Sequence, residues 1–152
     1  MTYSMDQSEK EGGGGGLNRL LNRDRFYYFL DLEVKRSRRY QNFFCILVLK
    51  LNHLASHDNG KGFNTCYEKL TQLLKEELRE SDILGALEEN KLVALLPYAD
   101  ISAGDFAKSR FEGSVKYFDF KNEGYDVVVD QICFPLDGTD TSDLINKVMG
   151  TS

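Results

Sequence analysis

The sequence predicts an α+β fold in which helices flank a mixed central sheet. Three observations lead to this prediction. Segments with helical periodicity alternate with short apolar strands, two of the strands are joined by a tight polar turn, and 41% of the 152 residues are hydrophobic. Interleaved helices and strands with one hairpin give a sheet with parallel and antiparallel neighbours. A chain of this length can bury the core of one ordinary domain.

The N-terminal segment, residues 1–16, is predicted to be a flexible tail. It is polar, lacks periodicity and ends in five consecutive glycines, Gly12 to Gly16. The folded domain is therefore expected to occupy residues 17–152. Its first helix is predicted from Leu17 to Tyr40, because apolar side chains recur there at helical spacing. The end of this helix is basic, which suits the negative end of the helix dipole; the residues are Lys35, Arg36, Arg38 and Arg39.

The remaining elements are predicted in the order βαββαβα. The third helix is expected to begin with Ser102, whose hydroxyl can cap the first free amides. Glu88, Glu89 and Asn90 separate two apolar runs and are expected to form the hairpin turn. The predicted elements are a strand at Phe43–Leu51, a helix at Asn64–Leu78, strands at Ile83–Leu87 and Lys91–Leu96, a helix at Ser102–Tyr117, a strand at Tyr125–Phe134 and a helix from about Thr141.

Composition excludes several classes of function. With 19 basic and 24 acidic residues the net charge is −5, so we expect no binding to DNA or RNA. No apolar run approaches the roughly 20 residues that cross a bilayer, and the N-terminus is not a secretory signal. These features predict a cytoplasmic domain in a reducing environment.

The cysteines and histidines are scattered along the chain. Cys45, Cys66 and Cys133, together with His53 and His57, have neither zinc-ligand spacing nor the pattern of a disulfide framework. We expect the cysteines to be packed thiols and the histidines to lie in a solvated loop that leads to Gly60 and Gly62.

Several strings of residues resemble the GGDEF domain, the catalytic unit of bacterial diguanylate cyclases. The opening LNRLLNR at 17–23 is similar to the family's LTGLxNR, and RSRRY at 36–40 is typical of the segment before the first strand. ALEENKLVALLP at 86–97 is similar in register to RxGGDEFxxxLP. The resemblance covers about residues 17–149 and implies a nucleotide-cyclase-like fold with a ferredoxin-like core. Because such domains usually follow a sensor domain, it also implies a piece of a larger protein that could be anchored to a membrane.

In this register the signature pentapeptide is replaced at every position by residues Glu88 to Leu92. In the family, two glycines let the hairpin backbone lie against GTP and the third residue binds magnesium. Here Glu88 and Glu89 would place bulk and negative charge where the triphosphate lies. Asn90 carries no charge, and Lys91 is expected to add a cation beside the would-be metal.

The first strand lacks the family's other metal ligand as well. No carboxylate lies between Leu47 and Asn52. Phosphoryl transfer with two metal ions needs anionic ligands. The resemblance therefore implies a degenerate domain with no cyclase activity, no catalytic residues, no metal site and no cofactor.

The resemblance also implies that a ligand site is retained. Active cyclases often carry Arg-x-x-Asp five residues upstream of the signature, where their product, cyclic di-GMP, binds. Here the tetrad is Arg79 to Asp82, and five residues, Ile83 to Leu87, separate it from Glu88. Arg110 occupies the position of the arginine that completes the site. Without this register, the tetrad would indicate only an ion pair at a helix end.

These features predict a cyclic di-GMP receptor that relays its signal to an unknown effector protein or a neighbouring domain. Arginine can donate two hydrogen bonds to one edge of guanine or bind phosphate, and Asp82 can accept from the other edge. Since cyclic di-GMP commonly binds this family as a stacked dimer, a ligand-bridged homodimer is also expected.

Two other functions are compatible with the sequence. A protein–protein interaction module that binds no nucleotide is favoured by the basic end of the first helix and the acidic hairpin turn. An enzyme with a different substrate would need a new carboxylate cluster, but Glu88 and Glu89 would point to opposite faces of a strand.

Overall fold

The computed structural model describes residues 20–54 and 62–150. The predicted tail at 1–16 and the predicted loop residue His57 lie outside these ranges. In chain order the described elements are β1 (Leu20–Leu21), α1 (Arg23–Tyr40), β2 (Phe44–His53), α2 (Phe63–Glu77), β3 (Ile83–Glu88), β4 (Lys91–Pro97), α3 (Ile101–Phe118), a short 3₁₀ helix (Phe120–Glu123), β5 (Tyr125–Phe134) and α4 (Thr141–Gly150).

The strands form one five-stranded mixed sheet in the order β1-β3-β4-β2-β5. β1 is parallel to β3. The other three pairs, β3–β4, β4–β2 and β2–β5, are antiparallel. β2 lies inside the sheet, between β4 and β5. Its sequence is almost entirely apolar because both of its faces are covered. The predicted α+β class with a mixed sheet flanked by helices is confirmed.

Two hydrophobic clusters cover the two faces of the sheet. Alternate residues of β2 point to opposite faces, so Ile46 packs in one cluster and Leu47 in the other. The first cluster includes Leu30 of α1 and Leu144 of α4. The second includes Leu74 of α2 together with side chains of α3. The candidate site described below lies on the α2 and α3 side.

The first helix begins later than predicted. Leu20 and Leu21 form β1, which pairs with Leu84 and Gly85, and α1 starts only at Arg23. Asn22 is the N-cap, and its side chain accepts a hydrogen bond from the backbone N–H of Arg25 at 2.9 Å. Because this cap satisfies an amide at the start of the helix, it separates the leucine pair from the helical pattern that follows.

The cap of α3 also differs from the prediction. Asp100, not Ser102, is the N-cap, and its Oδ1 accepts from the N–H of Ala103 at 2.8 Å. Aspartate caps a helix at least as well as serine and adds a charge that suits the positive end of the helix. The predicted hairpin is present, but Glu88 ends β3 and only Glu89 and Asn90 form the turn.

The expectation that all three cysteines are thiols was wrong. Cys45 and Cys133 lie opposite each other on β2 and β5, with their Cα atoms 4.1 Å apart, and form a disulfide. The pairing depends on strand register across 88 residues of sequence, which spacing along the chain does not reveal. Cys66 is a free buried thiol, and burial raises its pKa.

His53 lies at the end of β2, not in a loop, and its ring packs 5.1 Å from that of Tyr125. Among the described residues, no helix is long and apolar enough to cross a membrane.

Candidate functional site

Three side chains singled out from the sequence line one cavity of about 380 Å³ between the end of α2 and α3. We call it the α2–α3 cavity. Arg79 and Asp82 come from the turn that joins α2 to β3, and Arg110 comes from the middle of α3. The structure therefore brings together residues that are about thirty positions apart in the chain. The cavity's charged and aromatic lining consists of Glu77, Arg79, Asp82, Phe106, Arg110 and Phe111.

Asp82 is fixed by the turn that it closes. Its Oδ2 accepts from the backbone N–H of Arg79 at 2.8 Å, and its own N–H donates to the carbonyl of Arg79 at 3.0 Å. The carboxylate is buried, with 4% of its surface exposed. Asp82 is thus held in place by the backbone before any ligand binds, which favours precise recognition.

Arg79 is held much more loosely. Its guanidinium Nη2 lies 3.5 Å from Asp82 Oδ1, at the long limit of a hydrogen bond, and 65% of the side chain is exposed. An exposed contact of this kind contributes little to stability. The donors of Arg79 are consequently accessible at the mouth of the α2–α3 cavity.

Arg110 is engaged by Glu77, a residue that the sequence did not point to. Arg110 Nε donates to Glu77 Oε1 at 2.6 Å, and Nη2 donates to the Glu77 carbonyl at 3.3 Å. Ser114 Oγ lies 3.4 Å from Glu77 Oε2. Glu77 ends α2 and is 33 residues from Arg110, so no local spacing signals this pair.

Aromatic rings flank the Arg110 guanidinium. Its central carbon is 5.6 Å from the ring centroid of Phe106 and 5.7 Å from that of Phe111. Phe111 is buried, whereas Phe106 is 67% exposed. The four-residue spacing of Phe106 and Arg110 on a helix is a signal that could have identified the pair. Together they form a flat, partly apolar surface on the wall of the cavity.

The charges around the α2–α3 cavity balance formally, with two guanidiniums and two carboxylates. Asp82 offers an acceptor, Arg79 offers accessible donors, and the surface of Phe106 suits a planar ring. A planar molecule that carries both N–H donors and an anionic group would match this arrangement.

The hairpin end of the sheet is tied to its neighbours. Asn90 Nδ2 donates to the Leu51 carbonyl at 3.0 Å, and the Leu51 N–H donates to the Asn90 carbonyl at 2.9 Å. Lys91, expected beside a metal, is buried instead, and its Nζ donates to the carbonyls of Val148 and Met149 at 3.1 and 3.2 Å. An ammonium suits the negative C-terminal end of α4, which explains this orientation. Within 20–54 and 62–150, no cluster of three or more His, Cys, Asp or Glu residues could hold a metal ion.

The basic end of α1 is largely engaged within the domain. Lys35 pairs with Asp31 at 2.9 Å, and the side-chain hydrogen bond from Lys35 is the main cause that lowers the pKa of Asp31. Arg36 binds Glu33 and Tyr98, and Arg38 Nη2 donates to the Thr139 carbonyl at 2.6 Å. Lys35, Arg36 and Arg38 therefore already have partners within the domain.

Comparison with known proteins places these observations in a family. The model of the family described as "Diguanylate cyclase, GGDEF domain" matches residues 16–148. No curated protein sequence matches the chain. A DGC protein from Thermotoga maritima has a TM-score of 0.76 at 16% identity, over 88% of this chain and 95% of that one.

Two further structures have the same fold. The coiled coil and GGDEF domain of DgcB from Caulobacter crescentus, in complex with c-di-GMP, has a TM-score of 0.74 at 12% identity, over 96% of this chain and 81% of that one. Diguanylate cyclase SiaD from Pseudomonas aeruginosa, in complex with its activator SiaC, has a TM-score of 0.75 at 18% identity, over 96% and 58% of the two chains. At these identities the structures establish the fold, while the family model, which spans most of the chain, establishes that this protein belongs to the GGDEF domain family of diguanylate cyclases.

Proposed function

We infer that this domain is a receptor for cyclic di-GMP and that it does not synthesise the dinucleotide. The observation that supports this function best is that Arg79, Asp82 and Arg110 all line the α2–α3 cavity. They come from two separate elements, so their convergence does not follow from an ion pair at a helix end. DgcB, which has the same fold, was solved in complex with c-di-GMP.

The cavity's chemistry matches a guanine base with a phosphodiester. Guanine presents acceptors N7 and O6 on one edge, which a guanidinium meets with two donors. Its other edge carries N–H donors, and the buried carboxylate of Asp82 can accept them. Phosphate oxygens can take the remaining donors of Arg79 or Arg110.

Loss of the cyclase reaction is supported by the side chains at the hairpin, which are poor ligands for magnesium. Two magnesium ions need several oxygen ligands, most of them anionic. At the hairpin, the Asn90 amide donates to β2 and the Lys91 ammonium is bound at the end of α4. Glu88 Oε1 lies 3.8 Å from Lys91 Nζ, so its charge is already partly balanced. These residues do not fit a pair of magnesium ions.

Isothermal titration calorimetry with cyclic di-GMP tests the receptor function. We expect the wild-type domain to bind, and Arg79→Ala and Arg110→Ala each to weaken binding by about tenfold or more, because each removes charge-assisted hydrogen bonds. Asp82→Asn, which keeps an oxygen for the turn, should weaken binding as well.

Arg39→Ala is the matched control, because Arg39 is an exposed arginine of α1 that does not line the cavity. An absence of wild-type binding, or equal losses in Arg39→Ala and Arg79→Ala, would overturn the proposal. Light scattering during the same titration tests the ligand-bridged homodimer, for which the mass should double on addition of ligand.

The second candidate is an interaction module that binds a protein and no nucleotide. It is favoured by a cavity of about 360 Å³ whose lining includes three exposed apolar side chains, Phe43, Ile101 and Leu136. Exposed apolar patches often mark binding surfaces. SiaD, which shares the fold, was solved with its activator SiaC. The absence of any thermal shift with cyclic di-GMP would favour this candidate over the receptor.

A further inference from the structure

The ion pair between Glu77 and Arg110 places an anion where the ligand would have to bind. We propose that Glu77 is an internal competitor that lowers the affinity of the α2–α3 cavity, and that ligand binding displaces its carboxylate from Arg110. The inference rests on the proposed receptor function and concerns the regulation of that same site.

Glu77 occupies one of the two edges through which the Arg110 guanidinium could bind a ligand. A guanidinium binds a phosphate or a guanine through one of two edges, each with a pair of N–H donors. Glu77 takes the Nε and Nη2 edge of Arg110 with its carboxylate and its own carbonyl, at 2.6 and 3.3 Å. The ligand must displace the carboxylate from this edge, or use the other edge beside a negative charge. Both routes lower affinity.

The charge of Glu77 also opposes the binding of an anionic ligand. Cyclic di-GMP carries two phosphodiester groups and is a dianion near neutral pH. The α2–α3 cavity holds two carboxylates and two guanidiniums, so its formal charge is zero. Asp82 is buried and held by the backbone of Arg79, whereas the Glu77 carboxylate is held by side chains of α3. Glu77 is therefore the carboxylate that can move away.

The Glu77–Arg110 pair also joins two helices, which couples the site to the rest of the domain. Glu77 is the last residue of α2, and its partners Arg110 and Ser114 lie on α3. The pair therefore connects the end of α2 to α3 in the absence of ligand. When the ligand takes Arg110, this side-chain connection between α2 and α3 is broken. A ligand that binds the two states unequally shifts their populations in this way.

Titration calorimetry with cyclic di-GMP on the wild type and on Glu77→Gln tests the proposal. Glutamine keeps a carbonyl oxygen that can accept from Arg110 Nε but has no charge. We expect Glu77→Gln to bind about fivefold more tightly, which corresponds to the upper range of partly exposed ion pairs. Glu76→Gln is the matched control, because Glu76 is an exposed neighbour whose carboxylate lies 3.4 Å from Gln72 Nε2. Its affinity should equal that of the wild type.

A double-mutant cycle separates competition for Arg110 from a general effect of charge. In an Arg110→Ala background, Glu77→Gln should increase affinity less than it does in the wild type, because the contested group is gone and only the general effect of charge remains. An equal increase in both backgrounds would overturn the competitor role, as would unchanged or weaker binding by Glu77→Gln in a domain whose thermal melting matches the wild type. If neither the wild type nor Glu77→Gln binds, the receptor function itself is wrong.

Discussion

Phe106 is an exposed aromatic residue at the wall of the candidate site. It lies one helical turn from Arg110 and has no counterpart among the residues singled out from the sequence. Aromatic rings stabilise bound bases by stacking, and removal of such a ring weakens binding by about 1 to 3 kcal/mol per base. Phe106 therefore has a position suited to contact a guanine held by the α2–α3 cavity.

Phe106→Ala should weaken the binding of cyclic di-GMP by about tenfold, and Phe106→Tyr should retain it, because tyrosine keeps the ring. Titration calorimetry measures both. Tyr117→Ala serves as control, since Tyr117 is an exposed aromatic of the same helix that does not line the cavity. Equal affinities for Phe106→Ala and the wild type would show that the ring does not stack on the ligand.

Lys91, which replaces a residue of the family's signature, has a structural role that the sequence did not predict. Its ammonium is buried and donates to two carbonyls at the end of α4. From the sequence, Lys91 was expected to add a cation beside the position of the family's metal ion. In the structure it is a residue that holds α4 on the sheet, and its charge is used for stability at a helix end.

At the scale of elements, α3 approaches the sheet closely at Gly104. A Cβ atom added there would lie 2.7 Å from Cys45 Sγ and would also overlap the amide of Gln131. Cys45 cannot move aside easily, because it is bonded to Cys133 across the neighbouring strands β2 and β5. The absence of a side chain at Gly104 thus allows α3 to pack in the position that brings Arg110 to the cavity.

Gly104→Ala is expected to lower the free energy of unfolding by about 1 to 3 kcal/mol, because the core must shift to admit the methyl group. Gly113→Ala, on the same helix, should raise it by about 0.5 to 1 kcal/mol, since a Cβ there meets no atom within 4 Å and alanine favours helix. Urea denaturation of both variants measures the difference. The same sign in both would contradict the packing argument.

At the scale of the whole molecule, the hairpin and the α2–α3 cavity differ in how far their polar groups are bonded within the fold. The hairpin is tied to β2 by Asn90 and to α4 by Lys91. The α2–α3 cavity keeps accessible polar groups that contribute little to the fold, above all the guanidinium of Arg79. The proposed receptor function accordingly predicts that the domain binds cyclic di-GMP without synthesising it.

Incubation of the domain with GTP and Mg²⁺ or Mn²⁺ should yield no cyclic di-GMP, because Asn90 and Lys91 bond to the Leu51 carbonyl and to the end of α4 and supply no anionic ligand for two metal ions. Anion-exchange chromatography, with an active diguanylate cyclase as positive control, detects the product. Formation of cyclic di-GMP above the level of a blank without protein would contradict this prediction.

Local patterns were enough to predict most of the fold. Strand β5 and the start of α4 were predicted at the residues where they occur, and the hairpin was predicted from polar residues between two apolar runs. Apolar periodicity in α2 and the unbroken apolar run of β2 were equally informative. Such signals depend on residues only a few positions apart, so they are readable without tertiary structure.

Only the tertiary structure determined the contacts between residues distant in sequence. Pairing of Leu20 and Leu21 with β3, the disulfide of Cys45 and the ion pair of Glu77 with Arg110 all depend on strand register and helix packing. The predicted site residues Arg79, Asp82 and Arg110 came from a family resemblance, and their joint placement on one cavity became visible only in three dimensions. The physical reason is that each of these contacts joins segments whose approach is set by the packing of the whole sheet and its helices, and no local pattern encodes that distance.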